Sequence, residues 1–388
     1  MSRPVYLDFN ATTPLLPDAL EAMLPYLREH FGNAASPHLY GKEAETAVEN
    51  ARKTLADLLG ISPQELIFTS GATEALNLAL QGLARAYAST PKKHLLISAT
   101  EHKAVLDPAA YLASQGWEVE IVPVTSAGLV EPSTLEKLLR PTTLAVAIML
   151  ANNETGVLQP IPDLAKIAHE RGAFFLCDTT QAVGKLPVSF GQLGIDLAVL
   201  SAHKFYGPKG IGALYVRRRA PRVLLHPLIF GGGHERGLRS GTLPVPLIVG
   251  MAAALSYSLN HLEEASARIS TLSALLWKGI QKLYPSARLN GAEAQRLPNT
   301  LSVTFPGIKA RDILARAPLL AAATGSACTS AQPQPSHVLQ AMGLSPADAT
   351  STLRFSLGIP TTEEDIQLAL SYLKKALEAL QPSQPPKT

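Results

Sequence analysis

A lysine that directly follows an apolar run is the side chain best placed for covalent chemistry. Lys204 comes after the run Ile195 to Leu200, with Ser201 and His203 beside it, where a buried strand should end in a glycine-rich loop. An amine that condenses with an aldehyde needs a fixed, partly desolvated position, and this context would provide one. The alternative is an ordinary solvated loop lysine, since most lysines lie on the surface. Lys204 is therefore a candidate Schiff-base lysine.

A second apolar run ends in a carboxylate. Asp178 closes the run that begins at Phe174, one crossover unit before Lys204. A carboxylate at the end of a buried strand needs a cationic partner or several donors. In pyridoxal-phosphate enzymes that partner is the pyridinium nitrogen, which an acidic residue keeps protonated so that the ring withdraws electrons. The alternative is an N-cap for the stretch that follows.

Three further apolar runs end in polar residues. One leads into a small-residue turn with Thr73 that opens a helical stretch, whose free N–H groups suit a phosphate. The other two lead to His102 and to Asn153. In an open α/β sheet the ligand crevice lies outside the carboxyl ends of the strands, so all these clusters can converge on one cofactor. Taken singly, such a histidine is more often structural and such an asparagine more often belongs to a turn.

The two cysteines stand in contrasting surroundings. Cys177 lies inside an apolar run and is expected to be an inert core thiol, whereas small and polar residues surround Cys328. A thiol that must move, meet a substrate and then face a partner needs such surroundings, although a loop cysteine without a role has them too. We expect no disulfide. The few cysteines, and a start without a signal peptide's apolar segment, indicate a cytoplasmic protein.

Composition agrees with a globular enzyme and excludes several other classes. The 388 residues can bury large cores, and 34 basic against 31 acidic residues give no electrostatic case for binding nucleic acid. No apolar stretch is long enough to span a bilayer, so we expect no membrane segment. Short apolar strands that alternate with helical stretches from about residue 18 to 250 predict an α/β domain around a mostly parallel sheet.

Over almost its whole length the chain resembles the cysteine desulfurases of the aminotransferase class V group, specifically the IscS/NifS branch. Its motifs occur in the family's order, and a match of this length is more specific than any single motif. The shared motifs are Tyr6 to Asp8, Asn10 to Thr13, Phe68 to Glu74, Glu101 to Ala104, Asn152 to Glu154, Asp178 with Gln181, His203 with Lys204, Tyr206 to Gly210, Gly231 to Arg236, Arg239 to Thr242, Gly325 to Ser330, and Arg354 to Gly358.

The resemblance implies the type I fold of pyridoxal-phosphate-dependent transferases. That fold is α/β, with a large domain around a mostly parallel, seven-stranded sheet and a smaller α+β domain. Residues 16–254 would form the large cofactor-binding domain, and residues 1–15 and 255–380 the small domain that carries the cysteine loop. Residues 381–388, which are rich in proline, would form a flexible tail.

The resemblance also implies a role for each candidate residue. Lys204 would hold pyridoxal 5′-phosphate and move the proton at Cα, His102 would stack on the ring, and Cys328 would take up the sulfur. Asp178 would bind the pyridine nitrogen and Gln181 the phenolic oxygen. Phosphate ligands would be Thr73, Ser201 and His203, with Thr242 from the second subunit of a homodimer. Arg354 would bind the substrate carboxylate, helped by Asn153 and Asn33, although the segment after Asn33 lacks the proline usual in the family. No metal is expected.

The implied reaction converts L-cysteine to L-alanine and leaves the sulfur on Cys328 as a persulfide. A sulfur-acceptor protein, either an iron–sulfur scaffold or a thiolation carrier, would then receive it. The docking extension of the closest branch has no counterpart in the proline-rich tail, so the resemblance does not choose between these acceptors. The alternatives are a selenocysteine lyase, another class V lyase or transaminase, and a non-catalytic sulfur carrier. A transaminase would have no use for Cys328, and a structural protein would not need Lys204, Asp178 and Arg354 together.

Overall fold

The computed structural model describes residues 3–324 and 334–380, and within them it contains two separate β-sheets and a pair of short strands. Helices cover both faces of the larger sheet. The strands are β1 (Val5–Tyr6), β2 (Leu66–Thr69), β3 (His94–Ser98), β4 (Glu118–Val122), β5 (Thr143–Ala147), β6 (Phe174–Asp178), β7 (Leu197–Ser201), β8 (Gly212–Val216), β9 (Arg288–Leu289), β10 (Thr300–Thr304), β11 (Leu320–Ala321), β12 (Ala323–Thr324) and β13 (Thr352–Ser356).

The helices divide between the two sheets in chain order. α3, α4 and α6 each connect two strands of the larger sheet, as helices between parallel strands do. The helices are α1 (Pro17–Arg28), α2 (Leu39–Leu59), α3 (Ala72–Ala86), α4 (Lys103–Ser114), α5 (Pro132–Leu138), α6 (Ile161–Glu170), α7 (Val245–Asn260), α8 (Leu262–Leu283), α9 (Ala310–Arg316), α10 (His337–Ala341), α11 (Pro346–Thr350) and α12 (Glu363–Leu380).

The larger sheet has seven strands in the order β2-β8-β7-β6-β5-β3-β4. All neighbouring pairs from β7 to β4 are parallel, and β8 is antiparallel to both β7 and β2. Strands β3, β5 and β7 are buried along their whole length, as expected for a sheet covered on both faces. Their side chains alternate between two cores, so that Leu96 packs into one and Leu95 and Ile97 into the other. The predicted seven-stranded, mostly parallel sheet is confirmed.

The start of α3 lies unusually close to strand β8. A Cβ atom on Gly212 would lie 2.7 Å from Gly71 Cα and 2.5 Å from the Leu200 carbonyl oxygen, so only glycine fits at position 212. This close approach places the N-terminus of α3 beside the end of β7. The first turn of a helix and a strand end therefore meet at one edge of the sheet.

The smaller sheet, in the order β12-β13-β10-β9, is antiparallel. Its core also contains Val5 and Leu7 from the N-terminus, because β1 pairs in parallel with β11 and Asp8 forms a bridge with Ser356. The chain thus starts beside the C-terminal unit, as the resemblance implied for the N-terminal strand. The residue boundaries of the two domains stay a prediction.

The described helices were also compared with the length and hydropathy that a bilayer span requires. In residues 3–324 and 334–380 no single helix meets both requirements. The pair α7 and α8, bent by 70° at their junction, meets them only when the two helices are taken together.

Candidate active site

A cavity of about 550 Å³ opens at the carboxyl ends of strands β2, β3, β5, β6 and β7. Nine residues predicted from the sequence line it, although they come from distant parts of the chain. They are Thr73, His102, Asn153, Asp178, Gln181, Ser201, His203, Lys204 and Arg354. The strand-end argument thus predicted where the first eight of these side chains would meet, because parallel strands end at a common edge. Arg354, which the resemblance implied, comes from the smaller sheet.

Lys204 is held by the N-terminal segment of the chain. It ends the short 3₁₀ turn Ala202–Lys204 that directly follows β7. Its Nζ donates hydrogen bonds to the carbonyl oxygens of Asn10, at 2.6 Å, and Ala11, at 2.7 Å. These bonds fix the amine at the cavity wall, as covalent chemistry at a defined position requires.

Asp178 ends β6 with its side chain almost entirely buried, at 8 % exposure. One carboxylate oxygen accepts a hydrogen bond from the Thr180 backbone N–H at 2.9 Å. Within residues 3–324 and 334–380 no basic side chain forms a salt bridge with this carboxylate, and the buried Thr180 hydroxyl has no hydrogen-bond partner. A buried carboxylate in this position can accept a strong hydrogen bond from a cationic ring nitrogen.

His102 caps helix α4 and faces the cavity. Its Nδ1 accepts the Ala104 backbone N–H at 3.0 Å, so the neutral ring carries its proton on Nε2. Burial lowers the pKa of His102 below its ordinary value, and this effect outweighs the opposing charge of Asp178. The imidazole is therefore neutral near pH 7 and can lie flat against an aromatic ring.

The opposite end of the cavity is rich in hydrogen-bond donors. The first turn of α3, with the exposed Thr73, lies beside Ser201 and His203. Burial and the nearby charge of Lys204 lower the pKa of His203 to about 4, so its ring is neutral at pH 7. Its Nδ1 lies 3.1 Å from the Thr12 hydroxyl. Free helix N–H groups, hydroxyls and the adjacent Lys209 form a suitable binding region for a phosphate dianion.

Arg354 enters the cavity from strand β13 of the smaller sheet. It is 7 % exposed and donates to the Asn153 carbonyl at 2.9 Å and to the Asp8 carboxylate at 2.6 Å. Among the residues that the structure describes, its buried Nε atom has no hydrogen-bond partner, and neither does the buried Oδ1 of Asn153. Unpaired buried polar atoms are costly, so their presence here indicates a place where a ligand completes the hydrogen bonding.

Sequence reasoning assigned no role to Asn10, which the structure places at the centre of this network. Asn10 is 1 % exposed, and its carbonyl accepts from both Lys204 and Gln181. Its side-chain amide donates to Thr300 at 2.9 Å and to the Asn153 carbonyl at 3.2 Å. The only signal in the sequence is that Asn10 belongs to the Asn10 to Thr13 motif. Its hydrogen-bond partners lie far away in the sequence, so local residue spacing cannot predict them.

Two predicted site residues, Asn33 and Thr242, do not line this cavity. Asn33 is exposed and lines a second cavity of about 220 Å³, together with Arg52 and Glu235. Thr242 is exposed and lies just before α7. Cys328 lies outside the described residues. The roles of these three residues stay predictions.

The groups around the larger cavity fit pyridoxal 5′-phosphate. Asp178 would hold the pyridine nitrogen, Gln181 the phenolic oxygen, and Lys204 the aldehyde carbon. The first turn of α3 would hold the phosphate with Ser201. The buried atoms without partners among the described residues, on Thr180, Asn153 and Arg354, belong to residues that line this cavity and would be available to the cofactor and its substrate.

Comparisons with known proteins agree with this geometry. The family model described as "Aminotransferase class-V" matches residues 5–369. The "Cysteine desulfurase IscS" of Anaeromyxobacter sp. (strain K) is 45 % identical over 386 residues, which cover 99 % of this chain and 95 % of that protein.

Two solved structures share the fold. One, titled "NIFS-LIKE PROTEIN", superposes with a TM-score of 0.90 at 39 % identity and covers 97 % of this chain and 100 % of its own. The other, titled "SspA in complex with cysteine", has a TM-score of 0.81 at 38 % identity and covers 91 % and 98 %. The chain therefore belongs to the aminotransferase class-V family, and its cofactor is pyridoxal 5′-phosphate.

Proposed function

We propose that this protein is a pyridoxal-phosphate-dependent cysteine desulfurase. It converts L-cysteine to L-alanine and transfers the sulfur to its own Cys328, which becomes a persulfide. The identity to named cysteine desulfurases over nearly the full chain supports this activity. The selenocysteine lyase and transaminase alternatives have no comparable support.

One observation carries the proposal. Lys204, Asp178 and Arg354 line a single cavity, although Lys204 follows β7, Asp178 ends β6 and Arg354 belongs to β13 of the smaller sheet. A lysine and a carboxylate placed for the cofactor, facing an arginine placed for a carboxylate, make a site for an α-amino acid. The Nε atom of Arg354 and Oδ1 of Asn153 have hydrogen-bonding capacity left for that substrate.

Each residue then has a definable task in the reaction. When bound, pyridoxal phosphate supplies an electron-withdrawing ring that stabilises the charge left at the substrate's Cα. Arg354 binds the substrate carboxylate and fixes which face of Cα meets Lys204. Lys204 removes the proton from Cα and returns protons as alanine forms, with the neutral His102 nearby as a second proton carrier.

Sulfur transfer requires a thiolate. The Cys328 thiolate attacks the substrate sulfur, so that an S–S bond forms while the bond from Cβ to sulfur breaks and its electron pair stays on carbon. Protonation of that carbon then gives alanine, and no external oxidant is consumed. A thiol with the ordinary pKa of roughly 8.5 is only a few per cent ionised at pH 7, so the bound substrate or the site must promote its deprotonation.

The decisive test is a paired assay of sulfide and alanine from L-cysteine with excess reductant. Wild type should form equal amounts of both products, whereas Cys328→Ala should keep the cofactor's visible absorbance and form neither product above background. Pyruvate and ammonia in place of alanine would show a different class V lyase. Full activity of the variant would rule out the persulfide on Cys328.

We also propose that the protein is a homodimer in which each subunit completes the other's site. Large apolar side chains are exposed in the segments around the second cavity, where burial against a partner would be favourable: Leu27 at 57 %, Phe31 at 76 %, Leu39 at 71 %, Tyr40 at 54 % and Phe230 at 75 % exposure. Thr242 lies close in sequence to this region, and it would reach the partner's phosphate.

Subunit complementation tests this dimer. Lys204→Ala cannot hold the cofactor covalently, and Thr242→Ala should bind it about 3- to 10-fold more weakly because one hydrogen bond is lost. Mixed and refolded together, the two variants should regain tight cofactor binding in one site per hybrid. The control pair, Lys204→Ala with Asp178→Ala, should regain none, since both residues serve the same site. A monomer by light scattering, or no recovery in the first mixture, would contradict the proposal.

The acceptor and the location belong to the same proposal. A persulfide on Cys328 must pass its sulfur to another protein's thiol, for iron–sulfur cluster or other thio-cofactor assembly. A cytoplasmic location is supported by the small number of cysteines, of which Cys177 is fully buried. Transfer of radiolabelled sulfur from the charged enzyme to purified candidate acceptors would identify the partner, and cell fractionation would test the location.

A further inference from the structure

A second lysine, outside the lining of the large cavity, touches a residue that does line it. Lys185 is partly buried and belongs to the wall of a separate, smaller cavity. Its Nζ donates to the Gln181 side-chain oxygen at 2.6 Å and to the Asn10 side-chain oxygen at 3.4 Å. None of the roles derived above uses this amine.

The contacts of Gln181 determine which end of its amide faces the cavity. Its Nε2 donates to the Asn10 carbonyl oxygen at 2.9 Å, and its Oε1 accepts from Lys185. A flipped amide would set its oxygen against that carbonyl oxygen and its N–H₂ group against the lysine's N–H groups. Both contacts would then be repulsive, because an ammonium group only donates and a carbonyl oxygen only accepts.

The orientation of the Gln181 amide does not depend on the charge of Lys185. Burial, with the nearby Lys204 and Arg354, lowers the pKa of Lys185 well below its ordinary value. A neutral amine still donates to Gln181, so the amide oxygen keeps this donor in either state of Lys185. With its oxygen and one N–H engaged, Gln181 has only its second N–H left for the cavity.

We propose that Lys185 is a positioning residue for the cofactor, acting through Gln181. It holds the Gln181 amide so that an N–H, rather than a carbonyl oxygen, is offered to the phenolic oxygen of pyridoxal phosphate. A donor at that oxygen favours its ionised form. This inference rests on the proposed function only in that it requires the cofactor to bind in the large cavity.

Two readouts on substrate-free protein test this role. In Lys185→Met, the pH midpoint of the cofactor's visible absorbance should rise by roughly half a unit to one unit, because one hydrogen bond to the phenolic oxygen is lost. The dissociation constant of pyridoxal phosphate for the apoprotein should rise about 3- to 10-fold. Lys185→Arg, which keeps a donor, should restore most of both values, and the exposed Lys166→Met should change neither.

A double-mutant cycle separates positioning from a direct charge effect. Gln181→Leu removes the amide, so Lys185→Met should add nothing to the midpoint shift in that background. An undiminished second shift would overturn the proposal, since Lys185 would then act on the cofactor without Gln181. An unchanged midpoint in Lys185→Met would overturn it as well, and if that variant fails to fold, Lys185→Leu, which also lacks a donor, provides the same comparison. If wild type failed to bind the cofactor, that result would instead contradict the proposed function.

Discussion

Two buried arginines, each beside a cavity, use their hydrogen-bonding groups in opposite ways. Arg52, at the smaller cavity, makes two hydrogen bonds to the Glu235 carboxylate, at 2.7 and 2.9 Å, and others to Glu49 and to the Leu66 carbonyl. Its guanidinium also lies 4.5 Å from the centre of the Phe68 ring. Arg354, at the larger cavity, has a buried Nε without a partner in the described part of the chain.

This difference distinguishes an arginine that stabilises the fold, Arg52, from one that can bind a ligand, Arg354. Every nitrogen of Arg52 is engaged, and Glu235 accepts a further bond from the Phe68 N–H at 2.7 Å, so this pair joins α2, β2 and the segment before α7. Arg354 is also buried, but its hydrogen bonding to the described residues is incomplete. Burial of a charge therefore does not by itself mark a binding site, whereas an unsatisfied donor that also lines a cavity has capacity left for a ligand.

The largest effect on stability is expected at the framework pair. Glu235→Leu should lower the free energy of unfolding by roughly 3–5 kcal/mol, because it leaves the Arg52 charge buried without its partner. Urea unfolding of the apoprotein measures this loss, and Arg52→Met combined with Glu235→Leu should recover part of it. Arg354→Met should lower the free energy of unfolding by less than Glu235→Leu does. Equal losses of unfolding free energy in Glu235→Leu and Arg354→Met would contradict the difference drawn between the two arginines.

A smaller effect, on catalysis, is expected at the site. Arg354→Lys should lower kcat/KM for L-cysteine by roughly 10²-fold, mainly through KM, because a single ammonium cannot replace the planar guanidinium fork. The visible absorbance of the cofactor should not change. Cysteamine, which lacks the carboxylate, should bind equally to the variant and to wild type. If the variant also bound cysteamine more weakly than wild type does, Arg354 would not act by binding the substrate carboxylate.

The smallest effect concerns a buried carboxylate beside Arg354. Burial raises the pKa of Glu154 to about 7, although Ser336 donates a hydrogen bond to it at 2.5 Å and Arg354 opposes the shift. The folded state therefore binds a proton more tightly than the unfolded state, so stability should fall as pH rises from about 5 to 7. Wild type should lose roughly 1–2 kcal/mol over this range relative to Glu154→Gln. Parallel stability curves for the two proteins would contradict this account.

Much of the fold followed from local patterns. The predicted final helix from Glu363 to Leu380 is present with these bounds, and the strand-like run from Thr300 to Phe305 contains β10. Apolar runs ending in polar residues correctly indicated strand ends that share one edge. These signals are local in the sequence, and burial on both faces of a parallel sheet reinforces them.

The network behind the site could not be predicted in the same way. Asn10 and Lys185 have no unusual local pattern, and their importance comes from contacts with Lys204 and Gln181. Whether an amide or a carbonyl oxygen meets a lysine depends on packing between separate elements. The same holds for Asn33, which the structure places at the second cavity.

The sequence by itself determined the α/β class and which strands end in polar residues. It also determined the residue types able to hold an amino acid and pyridoxal phosphate. Only the tertiary structure decided which of those groups still have hydrogen-bonding capacity for a ligand. It also decided that the N-terminal segment reaches across 194 residues to hold Lys204 and across 171 to hold Gln181. The reason is physical: residue type sets what a group can bond to, but the folded chain decides which partners are already taken.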